Sequence, residues 1–349
     1  MKKTIINSAC ALALLSGTAL YAAAPTVTVT EHLVPTNNAA PFGIVAGATA
    51  ILPANQVMWF TEMNTNKIAT MDQNGKLTEY ALTAQNIKPT EIALGADNKV
   101  WFIGQGIDAN KPSYVLHFDG TDIGEFYQVP KGVPIRIQPI NTKIDDNQVA
   151  ILTTRTSADP ASIIKLKYDK TVPGRIVATT YATKITSDVS GFAIDANNDF
   201  LYGSWGADVN QINLMTITGS PGSPYIINAK TGIKFITTAK DGTVWFTTGD
   251  GRIGKVTLPD HAISLYAAPN IGEGGALTEG PDGAIWFTEY GKDGADSKIA
   301  RLDPLDPAHI TETKTPTAST LGRIALSYDG KGLWFTETSA NKIAQITLS

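Results

Sequence analysis

Residues 57–62 read Val-Met-Trp-Phe-Thr-Glu, residues 284–289 read Ala-Ile-Trp-Phe-Thr-Glu, and residues 332–337 read Gly-Leu-Trp-Phe-Thr-Glu. Four shorter or diverged copies follow the same pattern: 100–102, 149–154, 200–204, 244–248. The central residues of the seven copies are separated by 41 to 50 residues: Trp59, Trp101, Ile151, Leu201, Trp245, Trp286, Trp334. A repeat of this length is typical of propellers and solenoids.

Each copy has the same surroundings, which define the repeating unit. A short apolar segment comes first, and a turn suited to tight hairpins separates it from the Trp-Phe segment. Such turns are Asp97-Asn98, Asp241-Gly242, Asp282-Gly283 and Asp329-Gly330. Two further extended segments complete the unit, and no stretch has a helical apolar period. The sequence therefore predicts an all-β fold, a seven-bladed β-propeller of four-stranded antiparallel blades.

The seventh unit has no fourth strand of its own, because the chain ends at Ser349 soon after its third strand. Residues 27–34 resemble the fourth strand at 77–82. We therefore expect the N-terminal strand to close the last blade, which leaves no free sheet edge at the junction. On this interpretation residues 25–349 form a single domain.

The first 24 residues are predicted to be a signal peptide. Lys2 and Lys3 precede an apolar stretch at about 5–20, and small residues close it at Ala22 to Ala24, so cleavage is expected between about 22 and 24. The only cysteine, Cys10, lies in this segment, so the mature chain would have no disulfide. We expect export to the periplasm or out of the cell.

Charge and composition exclude some partners. The chain has 28 Lys and Arg residues against 32 Asp and Glu residues in 349 positions, a net charge of −4, and it has no basic run. Nucleic-acid binding therefore has no electrostatic support. No membrane span is expected, and we expect a monomer.

The repeated Trp-Phe-Thr-Glu, the downstream Asn-Lys-Ile (for example 66–68) and Gly-Pro-Asp-Gly at 280–283 resemble the virginiamycin B lyase (streptogramin lyase) family over nearly all of residues 26–349. The resemblance implies a propeller. It also implies an activity of the family's enzymes: opening of type B streptogramins, cyclic depsipeptides, by elimination across the ester with a divalent metal such as Mg²⁺.

The family's active residues are mostly not matched. Where its enzymes have a His in the penultimate blade, this chain has Gly275, and the strand 320–324 lacks the second His and its Glu. The family's tyrosine in a Pro-Tyr-Gly-Ile segment corresponds to Phe42. Glu337 is a near match for a further Glu.

Three carboxylates form the candidate site. Glu62, Glu289 and Glu337 end the second strand of blades one, six and seven, which are contiguous across the closure. They are the hypothesis for a Mg²⁺ or Ca²⁺ site or for ligand binding, and Glu289 and Glu337 are the weak catalytic candidates. The alternative is an ion pair with the lysine on the neighbouring strand: Lys67, Lys298 or Lys342.

Other ligand-binding candidates lie on the same face. Trp205 is expected to offer a stacking platform, whereas the five repeated tryptophans are expected to pack between blades. The longer loops at 104–112, 155–160 and 290–296 could also bind a ligand. The expected partner is a small molecule, glycan, peptide or protein.

Two function classes stay open. A non-catalytic binding scaffold is favoured by the missing active-site residues. The alternative is a carbon–oxygen lyase that opens a cyclic ester or depsipeptide, with a metal-dependent lactonase as a weaker third option. The discriminating observation is whether the mature chain opens a type B streptogramin in the presence of Mg²⁺.

Overall fold

The structure of the chain, a computed structural model, describes most of the predicted domain. The residues described are 25–48, 56–72, 74–82, 87–108, 110–118, 125–140, 147–169, 171–172, 175–185, 187–205, 210–227, 232–257, 262–267, 273–290 and 297–349. The predicted signal peptide, residues 1–24, lies outside them.

The described residues form strands and turns and contain no helix. The N-terminal strand is β1 (Val27–Leu33). Blade 1 is formed by β2 (Pro41–Ala48), β3 (Gln56–Glu62), β4 (Lys67–Asp72) and β5 (Leu77–Ala81). Blade 2 is formed by β6 (Ile87–Leu94), β7 (Val100–Gly106), β8 (Tyr114–Phe118) and β9 (Glu125–Gln128). Blade 3 is formed by β10 (Pro134–Pro139), β11 (Val149–Thr153), β12 (Ser162–Tyr168) and β13 (Ile176–Ala182).

Blades 4 to 6 follow the same plan. Blade 4 is formed by β14 (Asp188–Ile194), β15 (Phe200–Trp205), β16 (Gln211–Met215) and β17 (Tyr225–Ile226). Blade 5 is formed by β18 (Ile233–Thr238), β19 (Val244–Thr248), β20 (Arg252–Thr257) and β21 (Ala262–Ala267). Blade 6 is formed by β22 (Glu273–Glu279), β23 (Ile285–Tyr290), β24 (Lys298–Leu302) and β25 (Ile310–Lys314). Blade 7 adds β26 (Leu321–Leu326), β27 (Gly332–Glu337), β28 (Lys342–Leu348) to β1.

The seven sheets are antiparallel and four-stranded, and neighbouring strands of a blade are consecutive in sequence except at the closure. There β1 pairs with β28, from Val27 opposite Leu348 to Leu33 opposite Lys342. The predicted propeller and its closure by the N-terminal strand are both confirmed. Because this closure joins the two ends of the domain, the last blade has no unpaired third strand.

Alternating side chains of the Trp-Phe segment build the core between blades. Trp59 packs against Ile87 and Phe102 of blade 2, whereas Phe60 packs on the other side against Trp334 of blade 7. Successive strand residues point to opposite faces, so one dipeptide fills both interfaces of its blade. All five repeated tryptophans are at most 2% exposed, which confirms their packing role.

The acidic turn residues support these tryptophans. The indole Nε1 of Trp101 donates a hydrogen bond to Asp97 Oδ1 at 3.2 Å, and that of Trp286 donates to Asp282 at 3.0 Å. A buried indole N–H usually has such a partner. Asp97 and Asp282 therefore orient Trp101 and Trp286, whereas Trp334 Nε1 is buried without a partner among the described residues.

Each of the seven innermost strands has a register shift in its pairing with the second strand of the blade. The shifts all lie near the start of the inner strand, opposite the end of the second strand. A β-bulge bends its strand and redirects side chains. A ring of bulges therefore surrounds one end of the central channel.

We looked for membrane spans among the described residues and found no helix long and apolar enough to cross a bilayer.

Candidate functional site at the channel mouth

Threonines of the Trp-Phe-Thr motif hold the bulges in place. Thr61 Oγ1 accepts a hydrogen bond from the Gly43 amide of its own bulge at 2.9 Å and donates to the Thr90 carbonyl of blade 2 at 2.7 Å. Thr336 makes the same contact to the Phe42 carbonyl at 2.7 Å. Each hydroxyl thus ties a bulge to the neighbouring blade, which explains the threonine of the motif.

The bulges bring three charged side chains together across the channel. Arg323 Nε lies 3.1 Å from both carboxylate oxygens of Glu91, and Arg323 Nη2 also contacts Oε1. Arg136 Nη1 donates to the same Oε1 at 3.0 Å. The three residues come from blades 7, 2 and 3, and we call them the Arg–Glu–Arg triad.

Two aromatic rings enclose the guanidinium groups. The Arg323 guanidinium lies 4.3 Å from the Phe42 ring centroid and 4.5 Å from that of Phe235. The Arg136 guanidinium lies 4.4 Å from the Phe235 centroid. These are cation–π distances, and such contacts strengthen when water is excluded.

Burial and mutual charge set the protonation of the triad. Burial would raise the pKa of Glu91, but Arg323 and Arg136 outweigh it and hold this pKa below its ordinary value. Burial, with the nearby charge of Arg323, lowers the pKa of Arg136 to about 10. At neutral pH the triad therefore carries two positive charges and one negative charge.

Two cavities meet at the triad. The inner one, about 370 Å³, is lined by residues of all seven innermost strands and forms the central channel. The outer one, about 510 Å³, is the channel mouth, which is lined by Phe42, Arg136, Asp188, Phe235, Tyr290 and Arg323 among others. Arg136, Phe235 and Arg323 line both cavities, so the triad lies between the mouth and the channel.

Comparison with known proteins agrees with this architecture. The profile of the virginiamycin B lyase family matches residues 17–112 and 182–349, which is more than half of the chain. The chain belongs to the virginiamycin B lyase family. Among curated proteins, none matches the sequence.

Solved lyases of the family have the same fold. A streptogramin B lyase structure is 23% identical, covers 93% of this chain and 98% of its own, and has a TM-score of 0.71. The catalytically inactive virginiamycin B lyase from Staphylococcus aureus, solved with quinupristin, is 22% identical at 93% and 100% coverage, with a TM-score of 0.72. At these identities the likeness shows the fold alone.

The positions at which the family has active-site residues are altered in this chain's mouth. Phe42 and Arg323 both line the mouth, the latter on the strand that carries the family's second His. A Cβ at Gly275 would lie 2.1 Å from Thr288 Oγ1 and 2.7 Å from the Thr288 carbonyl oxygen. The backbone at Gly275 thus leaves no room for a histidine.

The three glutamates predicted as a site lie in separate blades. Glu62, Glu289 and Glu337 are at most 2% exposed. They stand opposite Lys67, Lys298 and Lys342 in the strand register, as the ion-pair alternative requires.

Each lysine forms an ion pair with a second glutamate, which lies on the outer strand of the same blade. Lys67 Nζ lies 2.8 Å from Glu79, Lys298 lies 2.5 Å from Glu312, and Lys342 contacts Glu31. We call these groups the Glu–Lys–Glu clusters. The ion pair of each lysine is therefore with the outer glutamate, and not with Glu62, Glu289 or Glu337 as the alternative expected.

The inner glutamate of each cluster is shifted towards its neutral form. Burial, with the charge of the outer glutamate, raises the pKa of Glu62 to about 7 and those of Glu289 and Glu337 to about 8. Both carboxyl oxygens of Glu289 and of Glu337 are buried without a hydrogen-bond partner in the described part of the chain. A neutral carboxyl is less costly there than a charged one.

The structure does not bring Glu62, Glu289 and Glu337 together as ligands of one ion. Among the described residues, no group of three or more His, Cys, Asp or Glu side chains is arranged to hold a metal. Each of the three has a lysine and a second carboxylate of its own blade beside it. These donors do not fit the Mg²⁺ or Ca²⁺ site expected from the sequence.

Several other candidates are only partly described. The backbone of Trp205 ends β15, and its side chain lies outside the described residues, as do 109 and 291–296 of the candidate loops. The loop at 155–160 is described, and Arg155 in it pairs with Asp188 at 3.1 Å. Stacking on Trp205 stays a prediction.

None of the described histidines lines the mouth. His32 stacks on Trp334 with centroids 5.3 Å apart, and His309 is exposed beside Asp306. His117 is only 5% exposed and lies 3.0 Å from Asp97 Oδ2. His261 lies outside the described residues.

Sequence reasoning missed the residues that fill the mouth. Glu91, Arg136 and Phe235 stand in segments that read only as inner strands, and Arg323 lies in the strand 320–324, which was noted only for lacking the second His and its Glu. The available signal was a charged residue in the middle of an otherwise apolar inner strand. Whether such a charged side chain reaches the channel depends on the β-bulges, and no turn residue in the sequence predicts those bulges.

Proposed function

We propose that this chain is an exported binding propeller that receives a ligand at the channel mouth and does not carry out the family's elimination reaction. The observation that supports this most is the occupancy of the mouth by the Arg–Glu–Arg triad and two phenylalanines. Arg136 and Arg323 are buried donors that bind anions well and exchange protons poorly.

An elimination that opens an ester needs a base for the proton next to the carbonyl and a group that stabilises the developing charge. No described histidine lines the mouth or the channel. Glu91 is held ionised by two arginines, so its proton affinity is too low for an effective base at neutral pH. The described lining of the mouth therefore has no histidine base, and its titratable groups besides the arginines are Lys234, Tyr290 and Asp188, of which Asp188 is paired with Arg155.

A second candidate is the carbon–oxygen lyase. It is favoured by Glu289 and Glu337, because carboxyls with a pKa of about 8 are partly protonated near neutral pH and suit general acid or base work. Against it, neither residue lines the mouth or the channel. The two candidates make opposite predictions for a streptogramin substrate.

The deciding experiment uses the chain without residues 1–24 and quinupristin, the compound present in the solved relative. Protein and quinupristin are incubated with Mg²⁺, and product mass and retention are followed by chromatography. Elimination opens the ring at constant mass, so it appears as a retention shift alone. We expect no shift, even at equimolar protein.

A shift at constant mass would overturn the binding proposal. Loss of that shift in both Glu289→Gln and Glu337→Gln would then assign the chemistry to the Glu–Lys–Glu clusters. Loss in Glu91→Gln alone would instead place the reaction in the mouth.

Export is proposed on the sequence of the first 24 residues. Expression of the whole chain in a Gram-negative host should give a shortened protein in the periplasmic fraction or the medium. N-terminal sequencing should find its first residue just after positions 22 to 24. Recovery of the intact N-terminus from the cytoplasm would contradict export.

A further inference from the structure

The charges of the mouth do not balance. The triad contains two guanidinium groups and one carboxylate. Asp188 also lines the mouth, but it pairs with Arg155 at 3.1 Å, so these two cancel. The described groups therefore leave a net positive charge in a partly dry site, which an incoming anion would neutralise.

Some hydrogen-bond donors of the two arginines have no acceptor among the described residues. Arg323 uses Nε and Nη2 on Glu91, and none of the described residues accepts a hydrogen bond from its Nη1. Arg136 gives Nη1 to Glu91 and to the Ile135 carbonyl, and Nη2 to the Lys234 carbonyl. Its Nε is buried without a partner in the described part of the chain. A guanidinium has five donors, so this site holds unused capacity for an oxyanion.

The rest of the mouth is apolar. Phe42, Ile135, Val189 and Phe235 line it together with Tyr290, and its volume of about 510 Å³ is that of a small-molecule site. Phe42 and Phe235 lie on the Arg323 guanidinium at 4.3 and 4.5 Å, so they orient its plane. A small inorganic anion would leave these apolar surfaces uncovered.

We propose that the mouth binds a small carboxylate attached to an aromatic or other flat apolar group, with the carboxylate on the free Nη1 donor of Arg323 and close to the charge of Arg136. The apolar part would lie against the apolar lining of the mouth beside the guanidinium, which includes Ile135 and Val189. This inference deepens the proposed function and rests on it, because it assumes that the mouth is a binding site. The fork of a guanidinium matches the two oxygens of a carboxylate and gives a charge-assisted contact.

The experiment compares 4-fluorobenzoate with its neutral counterpart 4-fluorobenzamide by ¹⁹F NMR titration of the chain without residues 1–24. The two probes have the same ring and nearly the same size and differ in charge. We expect 4-fluorobenzoate to broaden and shift, and to bind at least about tenfold more tightly than the amide, a difference of about 1.4 kcal/mol. Inorganic phosphate serves as the anion without an apolar part and should compete weakly.

Variants assign the binding to the mouth. Arg323→Met leaves Arg136 paired with Glu91 and removes the excess charge, so it should weaken 4-fluorobenzoate at least about tenfold without changing the amide. Arg323→Lys keeps the charge but loses the fork, and we expect an intermediate loss. Arg175→Met removes a positive charge from an ion pair with Asp169 on the outer part of blade 3 and should have no effect.

Circular dichroism and thermal unfolding check that the variants fold. If Arg323→Met does not fold, Arg323→Lys alone tests the inference. Equal binding of the acid and the amide, binding of neither, or equal loss in Arg175→Met would overturn the carboxylate inference. None of these outcomes bears on the quinupristin assay. A retention shift of quinupristin, conversely, would overturn the proposed function whether or not 4-fluorobenzoate binds.

Discussion

Replacing Glu289 by glutamine should make the stability of the protein less dependent on pH. In the native state the pKa of Glu289 is raised from 4.5 to about 8 by burial and by the charge of Glu312. The native protein therefore binds a proton that the unfolded chain releases above about pH 4.5. Stability from this group is complete below that pH and is lost as the pH rises towards 8.

The magnitude follows from the size of the shift. One pKa unit corresponds to about 1.36 kcal/mol, so the shift of Glu289 sets an upper limit of about 5 kcal/mol. Relaxation of the blade and entry of water around the charged form reduce this figure, and we expect at least about 2 kcal/mol. Glu62 and Glu337 add contributions of the same sign, since their pKa values are also raised.

Urea unfolding at pH 5 and pH 9 measures the effect. The free energy of unfolding of the unmodified chain should fall between these values, and that of Glu289→Gln should fall by about 2–4 kcal/mol less. Glutamine has nearly the shape of the neutral acid, so the two proteins should be similar at pH 5. Asp159→Asn, which removes a surface carboxylate paired with Lys131, is the control and should keep the original pH dependence.

An equal fall in the unmodified chain and in Glu289→Gln would refute the reasoning. It would mean that Glu289 is charged at neutral pH and that Lys298 compensates it fully. A larger fall in the variant would refute the sign of the linkage as well.

Three further substitutions test the bulges and the triad. Thr336→Val removes the bond to the Phe42 carbonyl and should cost about 1–3 kcal/mol in urea unfolding, whereas Thr336→Ser keeps the hydroxyl and should cost less. Glu91→Ala leaves two buried guanidinium groups unpaired and should cost about 3–5 kcal/mol, part of which a second change, Arg323→Met, should restore. Gly275→His should lower the midpoint of thermal unfolding, because its Cβ would meet Thr288 Oγ1 at 2.1 Å, and it should not produce a retention shift of quinupristin. An unchanged free energy of unfolding in Thr336→Val or Glu91→Ala, or an unchanged thermal midpoint in Gly275→His, would contradict the contact that the substitution removes or adds.

The fold could be predicted because its signals are local. The Trp-Phe pair alternates between the two faces of a strand, and turns such as Asp282-Gly283 fix the hairpin beside it. The closure of the ring could also be predicted, because the segment at 27–34 resembles a fourth strand and the last unit lacks one. These features need only neighbouring residues in the sequence to be recognised.

The candidate site was predicted less well. The three glutamates were rightly placed at the ends of second strands opposite lysines, but not as parts of Glu–Lys–Glu clusters. The outer members, such as Glu79 and Glu312, lie 12 and 14 residues from their lysines. Their side-chain contact depends on the pairing of the third and fourth strands, which the sequence does not specify at single-residue precision.

By itself the sequence determined seven blades, their strands and the packing of the five repeated tryptophans, because every unit repeats the same local pattern within about fifty residues. Only the tertiary structure decided what occupies the centre of the ring. Arg323 reaches Glu91 across a separation of 232 residues, and it does so because each inner strand has a bulge that redirects its side chains. Closure of the ring sets these distances, and no single blade contains that information.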